Sequence, residues 1–432
     1  MEIEGRWRDL DRLLTRSGNI TGPGFEPSEE IREFLANDCR VLIVGAGGLG
    51  CELVKDIALT GFGNIDIIDM DTIDVSNLNR QFLFRTGDVG KYKAEVAAAR
   101  IMERIPGVTV TPHCCMIQDK PLDFYEQFHV VVLGLDSLEA RRYMNSVACS
   151  FLEYEEDGSP NLATVKPLID GGTEGFKGHA RVLIPGVTPC FECTLWLFPP
   201  QTKFPLCTIA ETPRSPAHCI EYAKIILWPR ERPDDTFDAD NEEHMRWVYE
   251  HAAARAKEFG IQGMTYQLTQ GVVKNIIPAI ASTNAIVAAA CTLEALKMVT
   301  VCSSGLNNYM MYVGTEGVYT HTVAYERDPA CPICSPGVPF TVQPTMTLRE
   351  VIAKLVADPG LGKHLTNPSV SYGSTNLYMR GALEEETRPN LDKTIGELVE
   401  GDGSIIHLND KKLVSTLKVR LKFQPSNGAA DT

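Results

Sequence analysis

The sequence has no uninterrupted apolar run of the length that crosses a membrane. Its most apolar window, residues 276–301, is broken by Pro278, Asn284, Glu294 and Lys297, so it predicts a helix buried in protein. The N-terminus also lacks the basic stretch and the apolar run of a secretion signal, and no internal repeat is visible. Because the chain has 13 cysteines and no sign of export, we expect a cytoplasmic protein, with access to the nucleus left open.

Basic residues are the scarcer charge, with 41 Lys and Arg against 56 Asp and Glu and a formal net charge of −15 at pH 7. Such a surface repels phosphate backbones and anionic lipid, which argues against nucleic acid and membrane as partners and favours a basic protein partner. Hydrophobic residues at 44% and charged residues at 22% exclude a chain that is mainly disordered or collagen-like. A chain of 432 residues has room for about three domains.

Strands and helices are predicted to alternate from residue 39 onward. The apolar runs at 41–44, 65–68 and 130–133 predict strands buried on both faces. A helix is expected to follow the first strand, and the alanine-rich segment 93–104 predicts another. This alternation predicts an α/β fold with a parallel, doubly wound sheet.

Beyond residue 199 the alternation fails, and a stretch rich in proline and charge precedes helical sequence and a new core-like segment. We therefore expect an inserted domain, and after Cys334 a proline-rich linker that leads to an independent unit. The predicted divisions are an N-terminal helical arm at 1–38, a first α/β part at 39–198, an insertion at 199–264, a second α/β part at 265–335, a C-terminal unit at 346–423 and a disordered tail at 424–432.

A glycine-rich loop stands between the first predicted strand and its helix, with glycines at Gly45, Gly47, Gly48 and Gly50. Glycine lets the backbone turn tightly and approach a phosphate, and the helix N-terminus offers N–H groups to the anion. Asp69 follows at the end of the next strand, where a carboxylate can accept bonds from a ribose hydroxyl. On its own this pattern fits an NAD or FAD enzyme as well as an ATP enzyme.

The residues beyond Asp69 favour a triphosphate. The nucleotide-binding candidates here are Asp71, Asn77, Arg80, Gln81 and Lys93, which add cations and amides that a dinucleotide does not need. Asp136 follows the third predicted strand, at the sheet edge where such folds bind ligands, and a single carboxylate there is typical of a Mg²⁺ holder. The alternative for Asp136 is a helix cap.

This block resembles the ThiF/MoeB/ubiquitin-activating enzyme family in the glycine loop, the run Asp69-Met70-Asp71-Thr72-Ile73-Asp74-Val75-Ser76-Asn77-Leu78-Asn79-Arg80-Gln81, the following lysine and the later aspartate, all in order. The resemblance implies a Rossmann-like domain that adenylates the C-terminal glycine of a ubiquitin-fold protein with ATP. It further implies that Asp69 binds the ribose, that Asp136 holds Mg²⁺, and that the phosphates are bound by Asn77, Arg80, Gln81 and Lys93.

Two C-x-x-C motifs, Cys190 with Cys193 and Cys331 with Cys334, predict a closed tetrahedral zinc site of structural type. The wide spacing between the pairs leaves two alternatives, a pair of redox motifs and buried thiols with no ligand role. The same two motifs occur in the activating-enzyme family.

Cys207 is the predicted nucleophile. Pro205-Leu206-Cys207-Thr208-Ile209 opens the insertion in a polar stretch, as an attacking thiolate requires, and it resembles the catalytic cysteine signature of ubiquitin-type activating enzymes. The alternative is a buried structural thiol, and a base at His218 is disfavoured because a helix is predicted to begin there. The remaining cysteines are interpreted as structural: Cys39, Cys51, Cys114, Cys115, Cys149, Cys219, Cys291 and Cys302.

Two further features, Arg181 and the acidic run 234–243, each allow two interpretations. In the family context Arg181 would face the C-terminal tail of the modifier and select among modifiers, whereas alone it reads as a surface arginine on a strand. The acidic run 234–243 reads as a solvated loop, or as a surface that steers a basic partner.

The resemblance covers essentially the whole chain and is strongest to the catalytic subunits of the neddylation branch. It implies an inserted, mainly helical catalytic-cysteine domain, a C-terminal ubiquitin-like α+β domain that recruits the conjugating enzyme, and an obligate heterodimer with an inactive-half subunit. The implied activity is adenylation of the modifier, a thioester on Cys207, and transfer to the conjugating enzyme. The alternatives are a sumoylation-type activating subunit, an NAD-dependent oxidoreductase, and a scaffold without catalysis.

Overall fold

The computed structural model describes residues 5–155, 158–198, 213–239, 241–273, 279–362, 365–373, 375–381, 383–411, 413 and 416–424. The chain divides into two compact units, one formed by Met1–Leu195 with Ile280–Thr432 and the other by Trp196–Ala279. Among the described helices, none combines the length and the hydropathy that a membrane crossing requires.

In the described part of the first unit, eight strands form one sheet in the order β3-β2-β1-β4-β5-β6-β7-β8. These strands are β1 Arg40–Val44, β2 Asn64–Ile68, β3 Thr109–His113, β4 Val130–Leu133, β5 Leu168–Glu174, β6 Lys177–Leu183, β7 Tyr309–Val313 and β8 Tyr319–Val323. Strands β1 to β5 run parallel, as the sequence predicts. From β5 to β8 the pairing is antiparallel, an extension of the sheet that the sequence does not predict; β5 and β6 are joined by a tight hairpin with Gly175 at φ 56°.

The described helices are α1 Arg8–Leu14, α2 Glu29–Asn37, α3 Gly48–Leu59, α4 Lys93–Arg104, α5 Leu122–Glu126, α6 Leu138–Ser150, α7 Pro216–Glu221, α8 Trp228–Glu231, α9 Glu242–Glu258, α10 Tyr266–Val273, α11 Ala281–Thr300, α12 Leu348–Ala357, α13 Glu384–Thr387 and α14 Ile395–Leu398. Shorter 3-10 turns lie at Val75–Asn77, Thr86–Asp88, Ile117–Asp119, Leu162–Thr164, Glu192–Leu197 and Arg388–Asp392.

The main core lies between the sheet and the helices that cover it. Ile43 and Val132 of the sheet share this core with Leu53 of α3 and with Val287 and Cys291 of α11, all of them fully buried. Helix α11 packs on α3, β5 and β6, which confirms a helix packed within the protein over Ala281–Thr300 of the apolar window; residues 276–278 of that window lie outside the described residues.

The second unit is helical and has a core of its own. Helix α7 continues through a π-helical turn, Tyr222–Leu227, into α8, and Trp228 packs with Val248 and Ala252 of α9. Val273 of α10 is buried in the same core. This unit therefore extends beyond the predicted insertion of 199–264, because α10 supplies apolar side chains to the insertion rather than to the sheet.

The C-terminal part of the first unit is an α+β domain with a separate hydrophobic core. Its strands are β9 Val338–Val342, β10 Ser369–Tyr372, β11 Thr375–Tyr378, β12 Ile405–Asn409 and β13 Leu417–Phe423, in the order β11-β10-β12-β13-β9. Strand β9 pairs in parallel with β13, and the other neighbours are antiparallel. The domain thus begins at β9, before the predicted boundary at 346, while residues 425–432 of the predicted disordered tail lie outside the described residues.

Candidate active site

The glycine loop joins β1 to α3 and permits two close backbone approaches. Gly45 has φ 100°, which favours glycine, and a Cβ there would stand 2.6 Å from the Gly134 carbonyl oxygen at the end of β4. A Cβ at Gly50 would overlap the Gly45 carbonyl. The loop is therefore pressed against the end of β4, and the N-terminus of α3 opens at the carboxyl edge of the sheet.

Asp69, just beyond β2, is bonded to this loop. Its Oδ2 accepts the Ala46 N–H at 2.6 Å, and its Oδ1 accepts the Asp71 N–H at 2.8 Å. Burial raises the pKa of the Asp69 carboxyl above its usual value, although these two N–H groups oppose the rise. The residue predicted to bind ribose thus also fixes the conformation of the glycine loop.

Lys93 begins α4 and lies beside Asp71. Its Nζ donates to Asp71 Oδ2 at 2.7 Å, and its backbone N–H donates to the Asp71 carbonyl at 3.0 Å. The lysine side chain is only 10% exposed, while that of Asp71 is 53% exposed. A buried cation, paired with a half-exposed carboxylate, is therefore held at the edge where a phosphate would lie.

The segment that follows Asp71 packs onto the glycine loop. Asn77 closes a capping box, in which its Oδ1 accepts the Asp74 N–H at 2.9 Å. Gln81 is only 3% exposed, its Nε2 lies 3.9 Å from the position of a Cβ on Gly47, and its Oε1 has no hydrogen-bond partner in the part of the chain that the structure describes. A buried acceptor without a protein partner beside a glycine loop fits a site that a ligand completes.

Arg80 lies on the other side of the same loop. Its Cγ is 3.4 Å from the position of a Cβ on Gly48, and its Nη1 donates to the Ser76 carbonyl and to Asn79 Oδ1, both at 2.9 Å. The guanidinium is thus anchored on its own segment and stays at the rim of the loop. The structure therefore brings this predicted phosphate ligand to the glycine loop.

Asp136 lies on the loop between β4 and α6 and is exposed to solvent. Ser137, not Asp136, caps α6, since Ser137 Oγ accepts the Ala140 N–H at 3.1 Å. The alternative interpretation of Asp136 as a helix cap is therefore wrong. Because Gly134 donates its N–H to the Val44 carbonyl at 2.8 Å, this loop is held next to the glycine loop.

Asn284 belongs to this site although no sequence motif indicates it, because only the fold brings α11 beside the glycine loop. Asn284 is 2% exposed at the start of that helix. Its Oδ1 accepts the Thr173 hydroxyl at 2.6 Å, and its Nδ2 lies so close to Gly48 that a Cβ there would overlap it. Asn284 thus fills the space that the missing side chain of Gly48 leaves.

Arg181 lies in a buried charge cluster and not on the surface. Its Nε donates to Asp170 Oδ2 at 2.8 Å, its Nη1 donates to Thr194 Oγ1 at 3.1 Å, and its guanidinium lies over the Phe191 ring. The Arg181 side chain is 2% exposed, so the interpretation as a surface arginine is wrong. Selection among modifiers by Arg181 stays a prediction.

The four cysteines of the two C-x-x-C motifs converge, and their Sγ atoms all lie within 4.8 Å of one another. Cys190 Sγ is 3.7 Å from the sulfurs of Cys193 and Cys331, and the sulfurs of Cys193 and Cys334 are 3.6 Å apart. A tetrahedral zinc with Zn–S bonds of about 2.3 Å places its sulfurs about 3.8 Å apart. The donor set and its spacing therefore fit one zinc ion.

Cys207 lies outside the described residues, as does the motif around it. Several of the other thiols are poor nucleophiles, because burial raises the pKa of Cys39 and of Cys51 to about 12 and also raises that of Cys219. His218 accepts the Arg214 N–H on its Nδ1 at 3.0 Å, at the start of α7.

The described part of the acidic run 234–243 shows local pairing. Asp235 Oδ2 lies 3.4 Å from Arg232 and 3.5 Å from His244, and Asn241 caps α9. These contacts are those of a solvated loop that ends at a helix. A steering role for this surface stays a prediction.

Two family models match the chain. The ThiF family model matches residues 28–333, and the E2 binding domain model matches residues 341–423. The first range contains the eight-stranded sheet, the glycine loop, the inserted unit and three of the four clustered cysteines, with Cys334 one residue beyond it, and the second contains most of the C-terminal α+β domain. These matches favour the activating-enzyme prediction over the NAD-dependent oxidoreductase.

Curated relatives match the chain almost from end to end. The NEDD8-activating enzyme E1 catalytic subunit of Arabidopsis thaliana is 55% identical over 438 residues, which cover 99% of this chain and 96% of that protein. The proteins of the same name from Dictyostelium discoideum and Drosophila melanogaster are each 50% identical and cover 98% and 97% of this chain, and 98% and 95% of their own lengths. The chain therefore belongs to the ThiF family, in the group of the NEDD8-activating enzyme E1 catalytic subunits.

Proposed function

We propose that this chain uses ATP to adenylate the C-terminal carboxylate of a NEDD8-class modifier, takes the acyl group onto Cys207 as a thioester, and passes it to a conjugating enzyme. The observation that carries the proposal is the joint presence, in one chain, of a glycine-loop site in a ThiF fold and of an E2 binding domain. An enzyme that only adenylates its substrate would need the glycine-loop site but not the E2 binding domain.

The glycine loop and its neighbours are suited to hold ATP. The α3 N-terminus can bind phosphate through its N–H groups, and Lys93 and Arg80 can compensate phosphate charge from two sides of the loop. Each Asp69 oxygen accepts one backbone bond and keeps a further lone pair, which a ribose hydroxyl can use. Binding of phosphate at Lys93 would displace the exposed Asp71 carboxylate from Nζ.

In the first step the modifier carboxylate attacks the α-phosphorus, and pyrophosphate leaves. Asp136 would hold Mg²⁺, which when bound neutralises charge on the phosphate oxygens. In the second step the Cys207 thiolate attacks the acyl carbon and AMP leaves. In the third step the thiolate of the conjugating enzyme attacks the thioester, and Cys207 leaves as a thiolate.

The four-cysteine cluster would bind structural zinc. Four thiolates complete a tetrahedral shell, so the ion has no open position for a substrate. Contacts among the four sulfurs lower the pKa of the Cys193 thiol and raise the pKa of the Cys190, Cys331 and Cys334 thiols, so metal binding would have to displace protons from the latter three.

A second subunit is expected because the sheet of the described structure ends in an exposed strand that carries some apolar side chains. Strand β8 ends the sheet and is exposed along its whole length; its first residue, Tyr319, is 52% exposed, and Val318 just before it is 81% exposed. An edge of this kind invites a partner that covers it. We propose an inactive-half activating subunit as that partner, and a cytoplasmic location with access to the nucleus.

The test is a non-reducing gel of the chain with its partner subunit, ATP, Mg²⁺ and a panel of ubiquitin-like modifiers. We expect one modifier, NEDD8, to give a band shift that needs ATP and that a thiol reductant removes. ATP–pyrophosphate exchange in the same samples isolates the first step. The absence of both a thioester and exchange, with every modifier tested, would refute the proposal.

A further inference from the structure

The peptide bond that precedes Asp136 is held by a side chain from α6. Arg141 Nη2 donates to the Leu135 carbonyl and also, at 3.1 Å, to the Gly171 carbonyl of β5. Its Nε donates to Asp170 Oδ1 at 2.8 Å. One guanidinium, whose side chain is 7% exposed, therefore joins the Asp136 loop to the backbone and to a carboxylate of the neighbouring strand.

Asp170 makes this anchor rigid. It is fully buried, and its second oxygen, Oδ2, accepts Arg181 Nε at 2.8 Å and lies 3.4 Å from His179 Nε2. Burial alone raises the pKa of Asp170, but Arg141, Arg181 and His179 outweigh this effect and hold the pKa well below its usual range. Because a guanidinium is planar, its two bonds to β5 fix the direction in which Nη2 points at Leu135.

The Leu135 carbonyl and the Asp136 N–H belong to one planar peptide unit, so holding the carbonyl fixes the plane of that unit. The plane in turn limits the direction in which the Asp136 side chain leaves the backbone. We propose that Arg141, anchored by Asp170, is a positioning residue that orients Asp136 for its metal ion. This proposal rests on the proposed function, in which Asp136 holds Mg²⁺.

A purely structural role for Arg141 would be to tie α6 to the rest of the fold. The next residue, Arg142, serves as a matched control, since it makes two bonds to Glu192, from Nε at 2.9 Å and from Nη2 at 2.7 Å. It sits on the same helix and forms an ion pair, but none of its described bonds reaches the loop that carries Asp136. The two roles therefore predict different metal dependence for Arg141→Lys and Arg142→Lys.

The experiment measures metal binding apart from turnover. The chain with its partner subunit and a non-hydrolysable ATP analogue is titrated with Mn²⁺, and the loss of the free-ion EPR signal gives the affinity. The Mg²⁺ dependence of ATP–pyrophosphate exchange is measured on the same proteins. The panel is wild type, Asp136→Asn, Arg141→Lys and Arg142→Lys, with Arg141→Gln added in case the lysine variant does not fold.

We expect Arg141→Lys to weaken metal binding by about 10- to 100-fold, the effect typical of partners that orient a metal ligand, and saturating Mg²⁺ to restore most of the exchange rate. Arg142→Lys should keep the wild-type affinity even if its melting temperature falls. Wild-type affinity in Arg141→Lys, beside a weakened Asp136→Asn, would overturn the positioning role alone. Wild-type affinity in Asp136→Asn would remove the metal site assigned in the proposed function, and the positioning role with it.

Discussion

Asp170 and Arg181 stand directly opposite each other on β5 and β6, and their carboxylate and guanidinium groups are joined at 2.8 Å with almost no exposure to water. An intact ion pair this deeply buried adds little net stability. Removing one partner is costly, because the remaining charge is left buried without a counter-ion or water. The pair lies between the nucleotide edge and the four-cysteine cluster, so its loss should be felt across the fold.

Asp170→Asn should therefore destabilise the chain by about 3–5 kcal/mol at neutral pH, measured by urea unfolding. Since folding lowers the pKa of Asp170, its contribution is complete above the unfolded value of about 3.9 and is lost as the pH falls toward the lower folded value. The difference between wild type and variant should thus shrink below about pH 4. The control is Asp392→Asn, which breaks the exposed pair with Arg349 and should change the free energy of unfolding little. If the difference between wild type and Asp170→Asn stayed the same at low pH, the charge of Asp170 would not be its cause.

Cys193→Ser and Cys334→Ser should lower the zinc content and the melting temperature together, because each removes one of four ligands. The measurement is metal quantification on purified protein, with a thermal melt. Cys291→Ser is the control, since Cys291 is fully buried in the main core and away from the cluster, so it should cost stability without loss of zinc. Well under one zinc per wild-type chain would contradict the site.

Gly48→Ala should weaken nucleotide use and stability, because the new Cβ overlaps Asn284 Nδ2; overpacking of this kind costs about 1–3 kcal/mol. The added damage should be smaller in an Asn284→Ala background, where the obstructing amide is absent. A double-mutant cycle on melting temperature and on the KM for ATP measures this coupling. Gly87→Ala, whose Cβ would meet no atom within 4 Å, is the control, and equal damage in both backgrounds would contradict the contact.

Cys207→Ala should abolish the reducible thioester and leave modifier-dependent ATP–pyrophosphate exchange, because adenylation precedes thiol attack. The readouts are the non-reducing gel and the exchange assay on one preparation. Cys219→Ala is the matched control in the same inserted unit, where Cys219 is buried and burial raises its pKa. A thioester that persists in Cys207→Ala would identify another cysteine as the nucleophile.

A chain truncated after Ser335 should still charge itself with modifier but transfer it slowly at low concentrations of conjugating enzyme. The cut precedes β9, because that strand pairs with β13 and belongs to the C-terminal domain; a cut near Pro344 would leave it behind. Docking makes transfer effectively intramolecular, with a local concentration that can reach about mM, so high enzyme concentration should restore part of the rate. Single-turnover transfer from preformed thioester measures this, and equal rates at low concentration would exclude recruitment by this domain.

The local amino-acid sequence predicts those helices and strands that carry a strong signal of their own. The strand Val130–Leu133 and the helix Lys93–Arg104 have the predicted bounds, because apolar runs and alanine-rich sequence carry their own signal. Strand β3, Thr109–His113, was not predicted, since it is an edge strand with mostly exposed residues and an internal proline. The antiparallel half of the sheet also escaped prediction, because pairing direction depends on turns and long-range contacts rather than on composition.

The same limit holds for the site. The glycine loop, Asp69 and Lys93 lie close together in sequence and form a motif, so they were found together. Arg141 and Asp170 are on different elements, and nothing in either local sequence marks their contact; only the packing of α6 against β5 creates it. A buried charged residue can be recognised only when the structure shows the partner that it binds.

Strands β6 and β7 are neighbours in the sheet, although the whole inserted unit lies between them in the chain. During synthesis β1 to β6 leave the ribosome before the insertion, so the parallel strands and the β5–β6 hairpin can pair early, whereas the pairing of β6 with β7 must wait until the insertion has been made, and loops of this length close slowly. In the same way, Cys190 and Cys193 are synthesised before Cys331 and Cys334, so the four-cysteine cluster cannot form until the second pair has been made. The β6–β7 edge and the four-cysteine cluster therefore form only after the insertion has been made, and the zinc proposed for that cluster would bind only once both cysteine pairs are present.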